Sequence, residues 1–222
     1  TQADGDALTG RKAVVMNAES ADHLIVSARD GDDIAYYLVA RDAPGVDIQG
    51  YPLLAGGRAA EVTLDKAPGD LLSLGLEAYE RINALALAAI SAEALGAMES
   101  ATALTKDYLM TRKQFGRPIG TNQALAHRMS DVLIELEQVR RAVINAAGNL
   151  EASDRDLHLS ATKNLIGRAG RLVAEEAIQM HGGIAMTQEY ELAHIAKRII
   201  MADHRFGDTD YHLERFIALS AA

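Results

Sequence analysis

Cysteine and tryptophan are both absent from the 222 residues, and proline occurs only four times. Without cysteine there is no disulfide, no thiolate metal ligand and no cysteine nucleophile. The same absence suits a reducing compartment, and a cytoplasmic location is expected on that ground. Aromatic residues make up only 5% of the chain, so the core has to be aliphatic. Positive charge is also short: 22 Lys and Arg stand against 31 Asp and Glu, a net charge of −9. Holding a polyanion by bulk charge needs a basic surface, so nucleic acid is not an expected partner. No uninterrupted apolar run approaches bilayer length, and no basic-then-apolar leader opens the sequence. A membrane span is therefore not expected.

What is present is 49% hydrophobic and 24% charged, ordinary for a globular protein. At roughly 150 residues per domain the length corresponds to about one and a half domains. Two regions differ in texture. Residues 1–68 read as strands: Val14-Val15-Met16, Leu24-Ile25-Val26 and the stretch from Ile34 to Val39 are β-rich runs. Asp30-Gly31 between the last two is a hairpin signal, because glycine takes positive φ readily. Asp42-Ala43-Pro44-Gly45 marks a further turn, with strands expected near Val46–Leu54 and Ala59–Leu64. The expectation is a small antiparallel sheet in meander order, itself part of a larger one, since a few strands alone leave edges uncovered. Ala67-Pro68-Gly69-Asp70 reads as a linker, dividing residues 1–70 from 71–222.

Beyond that point the pattern is helical. Helices are expected over about 73–111, 122–150, from Ser153-Asp154 to His181, 189–203 and 210–221. Leu125, Met129, Val132, Leu133, Leu136, Val139, Val143 and Leu150 form a broad apolar stripe on the second. Short links between long helices give an antiparallel bundle. The fold class is thus mainly α, a helical bundle preceded by part of an antiparallel β domain.

Three local clusters carry candidate chemistry. Arg112-Lys113-Gln114-Phe115-Gly116-Arg117-Pro118, with Gln123 shortly after, sets cations and an aromatic where a second helix begins. Free N–H groups there suit a phosphate, and the same residues also suit a plain basic helix end. Gln179-Met180-His181-Gly182-Gly183 allows close approach of a ligand to the backbone, or simply stops a helix. Asp203 to His212 holds two His and three Asp, with Arg205 among them and Arg215 close by. That segment is either a metal site, through His204, Asp208 and His212, or a solvated helix junction. No metal is expected, because the Glu-x-x-His pairs of di-iron bundles are missing.

In this order, Arg-x-x-Phe-Gly at the first helix junction, Gln-x-x-Gly-Gly at the end of the third helix and Phe-Gly-Asp-Thr before the last resemble the acyl-CoA dehydrogenases. Residues 75–222 look like that family's C-terminal four-helix bundle. Residues 8–67, entered by Leu8-Thr9-Gly10-Arg11-Lys12, look like the later strands of its middle β domain. The resemblance implies a flavoprotein that oxidises an acyl-CoA thioester at Cα–Cβ, with FAD passing electrons to an electron-transfer flavoprotein. It also implies an oligomer, a dimer or tetramer of like or unlike subunits. By the same resemblance Arg112, Phe115 and Gln123 contact the FAD of a neighbouring subunit, as do Gln179, Gly182 and Gly183. Thr209 approaches FAD from its own subunit.

Departures from the family pattern are as informative. Its base is a Glu after an aromatic and before Gly-Thr; here Phe206 is followed by Gly207, Asp208 and Thr209. The alternative base position on the first helix falls on Ala86, with Glu80 and Glu93 six and seven residues away. Phe-Gly-Asp-Thr-Asp-Tyr-His-Leu looks most like the branch typified by pimeloyl-CoA dehydrogenase small subunits. Two hypotheses follow: Asp208 is the base, its pKa raised by a closed apolar site, or a partner subunit brings a Glu. Where the family has Trp-x-Thr beside the flavin, this chain has Val14-Val15-Met16, read here as a buried strand. The family's N-terminal helical domain and early strands are not visible, so the 222 residues alone are not expected to sustain normal turnover.

Overall fold

The structure, a computed structural model, describes residues 1–221. Two compact units divide the chain, the first Thr1–Arg81 and the second from Ile82 onward.

The first unit is a seven-stranded sheet of β1 (Gln2–Asp4), β2 (Ala7–Met16), β3 (His23–Asp30), β4 (Asp33–Ala40), β5 (Val46–Pro52), β6 (Arg58–Pro68) and β7 (Asp70–Leu72). The β3–β4 hairpin turns on Gly31-Asp32 with Asp30 opposite Asp33, as Asp-Gly predicts, and Gly31 has φ +60°. The meander expectation fails. The strand order is β5-β6-β2-β1-β3-β4-β7. One reason is β1, which pairs antiparallel with β2 and parallel with β3 and so separates two strands that are consecutive in the predicted order; the other is that the β5–β6 hairpin joins the sheet through β6 on β2, while the free side of β4 takes β7. Leu8, Leu24, Val26, Tyr37, Val39, Val62 and Leu64 form the core of this unit.

Residues 67–70 are likewise no linker. Pro68 ends β6 opposite Ala7, and β7 starts two residues on and pairs with β4. Gly69 turns the corner between them with its N–H donating to the Asp6 carbonyl. A Cβ there would press on Leu8, Tyr37 and Val39, so the Pro-Gly pair is part of the packed sheet. Val14 and Met16 depart from the buried strand expected of them, since both are about half exposed. A register shift in the β2–β6 ladder between Lys12 and Val15 turns Val14 outward, at φ +53°. A β-branched residue rarely adopts that conformation.

Five helices follow: α1 (Leu76–Thr111), α2 (Gln123–Gly148), α3 (Arg155–His181), α4 (Glu191–Asp203) and α5 (Thr209–Ser220). All five lie within a few residues of their expected spans. Between α1 and α2 a small hairpin of β8 (Lys113–Gln114) and β9 (Arg117–Pro118) interrupts the helical run. α3 is the central rod, packed against α2, α4 and α5. Its interior stripe runs Leu159, Ile166, Ala169, Val173, Ala177 and Met180. On α2 the buried residues are Met129, Val132, Leu136, Val139, Val143 and Ala146, a strict alternation of three and four. Leu133, counted in the predicted stripe, lies 45% exposed one position off it.

α1 holds a window of mean hydropathy 1.3, long and apolar enough by composition to cross a bilayer. The expectation from uninterrupted runs missed this because Glu93 and Glu99 break the run. Ile90, Ala94, Met98, Ala101 and Leu109 of the same helix are buried in the bundle core.

Candidate functional site

The candidate residues gather in two places along α3. At its C-terminal end, the ring of Tyr108 on α1 stacks on His181 with centroids 4.4 Å apart. Tyr108 lies one turn before Arg112 and His181 one residue before Gly182, so this contact brings the first two clusters to the same end of the bundle. The His181 Nδ1–H donates to the Ala177 carbonyl at 2.8 Å. That leaves Nε2 to accept the hydroxyl of Tyr190, 3.2 Å away at the start of α4. One imidazole therefore ties together α1, α3 and α4.

The hairpin closes through the Ile119 N–H to the Arg112 carbonyl, and Gly120 then packs against the Leu109 carbonyl where a Cβ would intrude. Its tip needs positive φ at two successive residues, +51° at Phe115 and +80° at Gly116. Phe115 is fully exposed. The turn accounts for the backbone conformation but not for the aromatic ring, which packs on nothing in the chain and so points to function. Arg117 donates to Asn122 Oδ1, whereas the guanidinium of Arg112 has no partner among the described residues. Gln123 is exposed as the first residue of α2, whose first turn has no side-chain cap.

Gly182 is the C-cap of α3 at φ +71°, so the backbone itself demands glycine there. Gly183 differs. Its φ is not in the left-handed region and an added Cβ would meet nothing within 4 Å. Packing inside the chain therefore does not explain this glycine. Gln179 is exposed one turn earlier.

Asp208 and Thr209 belong to the second place. Thr209 packs on Gly167, and fourteen residues of α3 separate Gly167 from His181, about 21 Å at helical rise. A cleft of about 690 Å³ is lined there by Gly167, Arg168, Ile200, Asp203, Asp208 and Thr209, among others. The Thr209 hydroxyl donates to Asp203 Oδ1 at 2.9 Å, and the Asn164 amide donates to the Thr209 carbonyl. Asp208 is exposed and is the N-cap of α5, with Oδ1 accepting from the Tyr211 N–H at 2.9 Å. Its surroundings include Arg168, Asp203 and His204, unlike the closed apolar site that the sequence argument requires of a base.

Sequence reasoning missed Lys163. This residue is fully buried, with its ammonium donating to the carbonyls of Asp203 at 2.8 Å and Gly207 at 2.7 Å. Burial pushes its pKa down. The signal was available, because Lys163 sits on the α3 stripe between Leu159 and Ile166, where an apolar side chain is the rule. His212 is buried as well. Its Nε2–H donates to the Phe206 carbonyl, leaving Nδ1 without a partner. That imidazole is occupied by the turn, and among the described residues no group of three or more His, Asp and Glu could hold a metal.

Burial pushes both His181 and His212 below the usual imidazole pKa. The folded chain then binds fewer protons than the unfolded one in the acid range. Their effect on stability is absent above the ordinary value of about 6.5 and becomes a penalty as pH falls below it. Urea unfolding at pH values between about 7.5 and 5.5 should show declining stability on acidification. The double variant His181→Gln, His212→Gln should flatten the slope, and an equally steep slope in that variant would contradict the assignment.

The residues 80–218 match the family model described as acyl-CoA dehydrogenase, C-terminal domain. The chain belongs to the acyl-CoA dehydrogenase family. Acyl-CoA dehydrogenase FadE28 of Mycobacterium tuberculosis is 33% identical over 219 residues, covering 95% of this chain and 61% of that protein. Among solved structures, the Tcur3481-Tcur3483 steroid ACAD aligns over 99% of this chain and 61% of its own, at 32% identity and a TM-score of 0.89. A glutaryl-CoA dehydrogenase from Mycobacterium smegmatis in complex with FADH2 aligns over 100% of this chain and 60% of its own, at 26% identity and TM-score 0.89. The chain thus spans about three-fifths of the length of these acyl-CoA dehydrogenases.

Proposed function

We propose that this chain is part of an FAD-dependent acyl-CoA dehydrogenase that oxidises an acyl-CoA thioester at Cα–Cβ, and that its bundle end is a cofactor contact reaching into a neighbouring subunit. The observation that carries this reading is Gly183, a glycine required neither by its φ nor by packing, at the end of the bundle where Tyr108 meets His181 and where Arg112, without a partner among the described residues, and the fully exposed Phe115 follow α1. These residues fit a dinucleotide. A pyrophosphate dianion wants a guanidinium fork and bare backbone N–H groups, with no Cβ in the way. FAD, when bound, supplies the electron acceptor for the C–H oxidation, and an electron-transfer flavoprotein is the onward acceptor. Arg112 would pair with phosphate oxygens, Gln123 and Gln179 would offer amides, and Phe115 would cover the cofactor from solvent. Gly182 and Gly183 would let the backbone come close, and Thr209 would serve a cofactor on the other side. The separation of the two sets along α3 suits contacts to two different cofactors, and an oligomer is part of the reading.

The experiment is an FAD titration of the protein as isolated with its accompanying subunits, followed by flavin absorbance. Arg112→Ala should weaken FAD binding by about tenfold or more, the worth of a charge-assisted pair. Equal affinity in parent and variant sinks the reading.

A second reading, that this chain is a non-catalytic partner in a heteromeric dehydrogenase, is favoured by Asp208. One of its oxygens caps α5, and the carboxylate is exposed among charges. Asn caps as well as Asp, so Asp208→Asn preserves the helix and removes only the base. Turnover in the assembled enzyme is expected to stay within about threefold, less than general base catalysis contributes. A loss of a hundredfold or more would instead make Asp208 the base.

A further inference from the structure

The turn between α4 and α5 is unusual in how its backbone is held. Phe206 and Gly207 are both left-handed, at φ +59° and +94°. The first is strained for a residue with a side chain. A Cβ on Gly207 would overlap the Tyr211 ring and crowd His212, so the turn lies hard against α5. Side chains satisfy its carbonyls: Lys163 donates to Asp203 and Gly207, His212 to Phe206, and Asn164 to Thr209. Of these donors Lys163 alone bridges the end of α4 and the turn itself.

Keeping an ammonium at that place is costly. Lys163 occupies an interior position of α3, and its nearest carboxylate oxygen, on Asp203, lies 4.0 Å away. An apolar residue of similar length would fill the space without desolvating a charge. What it could not do is donate to two carbonyls at once. The last carbonyls of a helix have no partner within it, and a cation near that end also answers its negative pole. The geometry at Lys163 meets both needs of α4 while gripping the turn four residues on.

We propose that Lys163 is a positioning residue: its buried ammonium locks the strained Phe206–Gly207 turn and so fixes the backbone that presents Asp208 and Thr209 to the cleft. This rests on the reading of Thr209 as a cofactor contact. Lys163 touches neither cofactor nor substrate; it acts through the carbonyls of Asp203 and Gly207.

Hydrogen exchange of the full chain tests the lock. Lys163→Met keeps the stem and removes the donors, so amide exchange over residues 206–211 should rise at least tenfold relative to amides in the middle of α1 and α2. Val173→Ala, on the same stripe but away from the turn, is the control for plain loss of packing and should raise exchange without favouring 206–211. Should Lys163→Met fail to fold, Asn164→Ala removes only the bond to the Thr209 carbonyl and should accelerate the same segment by a smaller factor. Equal profiles in the Lys163 or Asn164 variant and the Val173 control, or unchanged exchange at the turn, overturn the proposal. FAD affinity of the assembled protein reads the second half. Localised opening with undiminished affinity overturns the positioning role, whereas a parent protein that binds no FAD at all overturns the functional reading beneath it.

Discussion

Gly167→Val is expected to lower the stability of the helical unit by about 2–4 kcal/mol. Overpacking a tight contact costs about 1–3 kcal/mol, and a lost hydrogen bond adds about 1. A Cβ at position 167 would overlap the hydroxyl of Thr209 and the carboxylate of Asp203, which hydrogen-bond to each other across the face of α3. Neither can retreat easily. Thr209 is held at its carbonyl by Asn164, and Asp203 at its own by Lys163. Valine adds two methyl groups to that overlap, so α5 has to lift from α3 with its first turn. Thermal unfolding followed by far-UV circular dichroism should show a midpoint lower by several degrees, at about 2–4 °C per kcal/mol for a unit of this size. A midpoint within one degree (about 0.3 kcal/mol on the same scale) of the parent would show that the α3–α5 contact is looser than described.

Gly183→Leu should do the reverse, leaving the fold intact and abolishing FAD retention in the assembled protein. No atom lies within 4 Å of the added Cβ, and the backbone at 183 is open to residues with side chains. Stability should therefore change by less than about 0.5 kcal/mol, as for ordinary surface substitutions. A phosphate chain drawn close to the backbone would meet the leucine side chain directly and lose its approach to the N–H groups. The expected loss of FAD affinity is a hundredfold or more, or about 2.7 kcal/mol. Parent-like flavin absorbance in the purified variant would remove Gly183 from the cofactor contact. The two glycines make a useful contrast, since one is required by the chain's own packing and the other by nothing within it.

The helical part was legible because its signals are local. The three-and-four spacing on α2 fixed its face, Gly182 marked the end of α3, and Asp208, at the boundary expected before the last helix, caps α5. The order of the motifs pointed to the family. The sheet was harder, since strand order depends on partners distant in sequence. β1 is three residues long, and nothing in Gln2–Asp4 announces a strand that separates β2 from β3. Gly69 misled for a related reason: Pro-Gly looks alike in a linker and in a corner packed on Tyr37. At the site, residue types could be matched to motifs, but their supports could not. Lys163, Asn164 and Gly167 lie some forty residues before the turn they hold, and only the folded arrangement brings them to it.

Both candidate contacts are mounted on α3, and this gives the helix the character of a ruler. Gly167 seats Thr209 at one mark and His181 sets Gly182 at another. Between the marks there is no joint, only hydrogen-bonded helix. Removing or inserting one residue in that interval would shift the far mark by about 1.5 Å and swing it by about 100° around the axis. No adjustment of side chains could restore the facing. The stretch from Gly167 to His181 is therefore specified in its length as well as its composition, and natural variation there should take the form of substitutions, with gaps confined to the turns at either end.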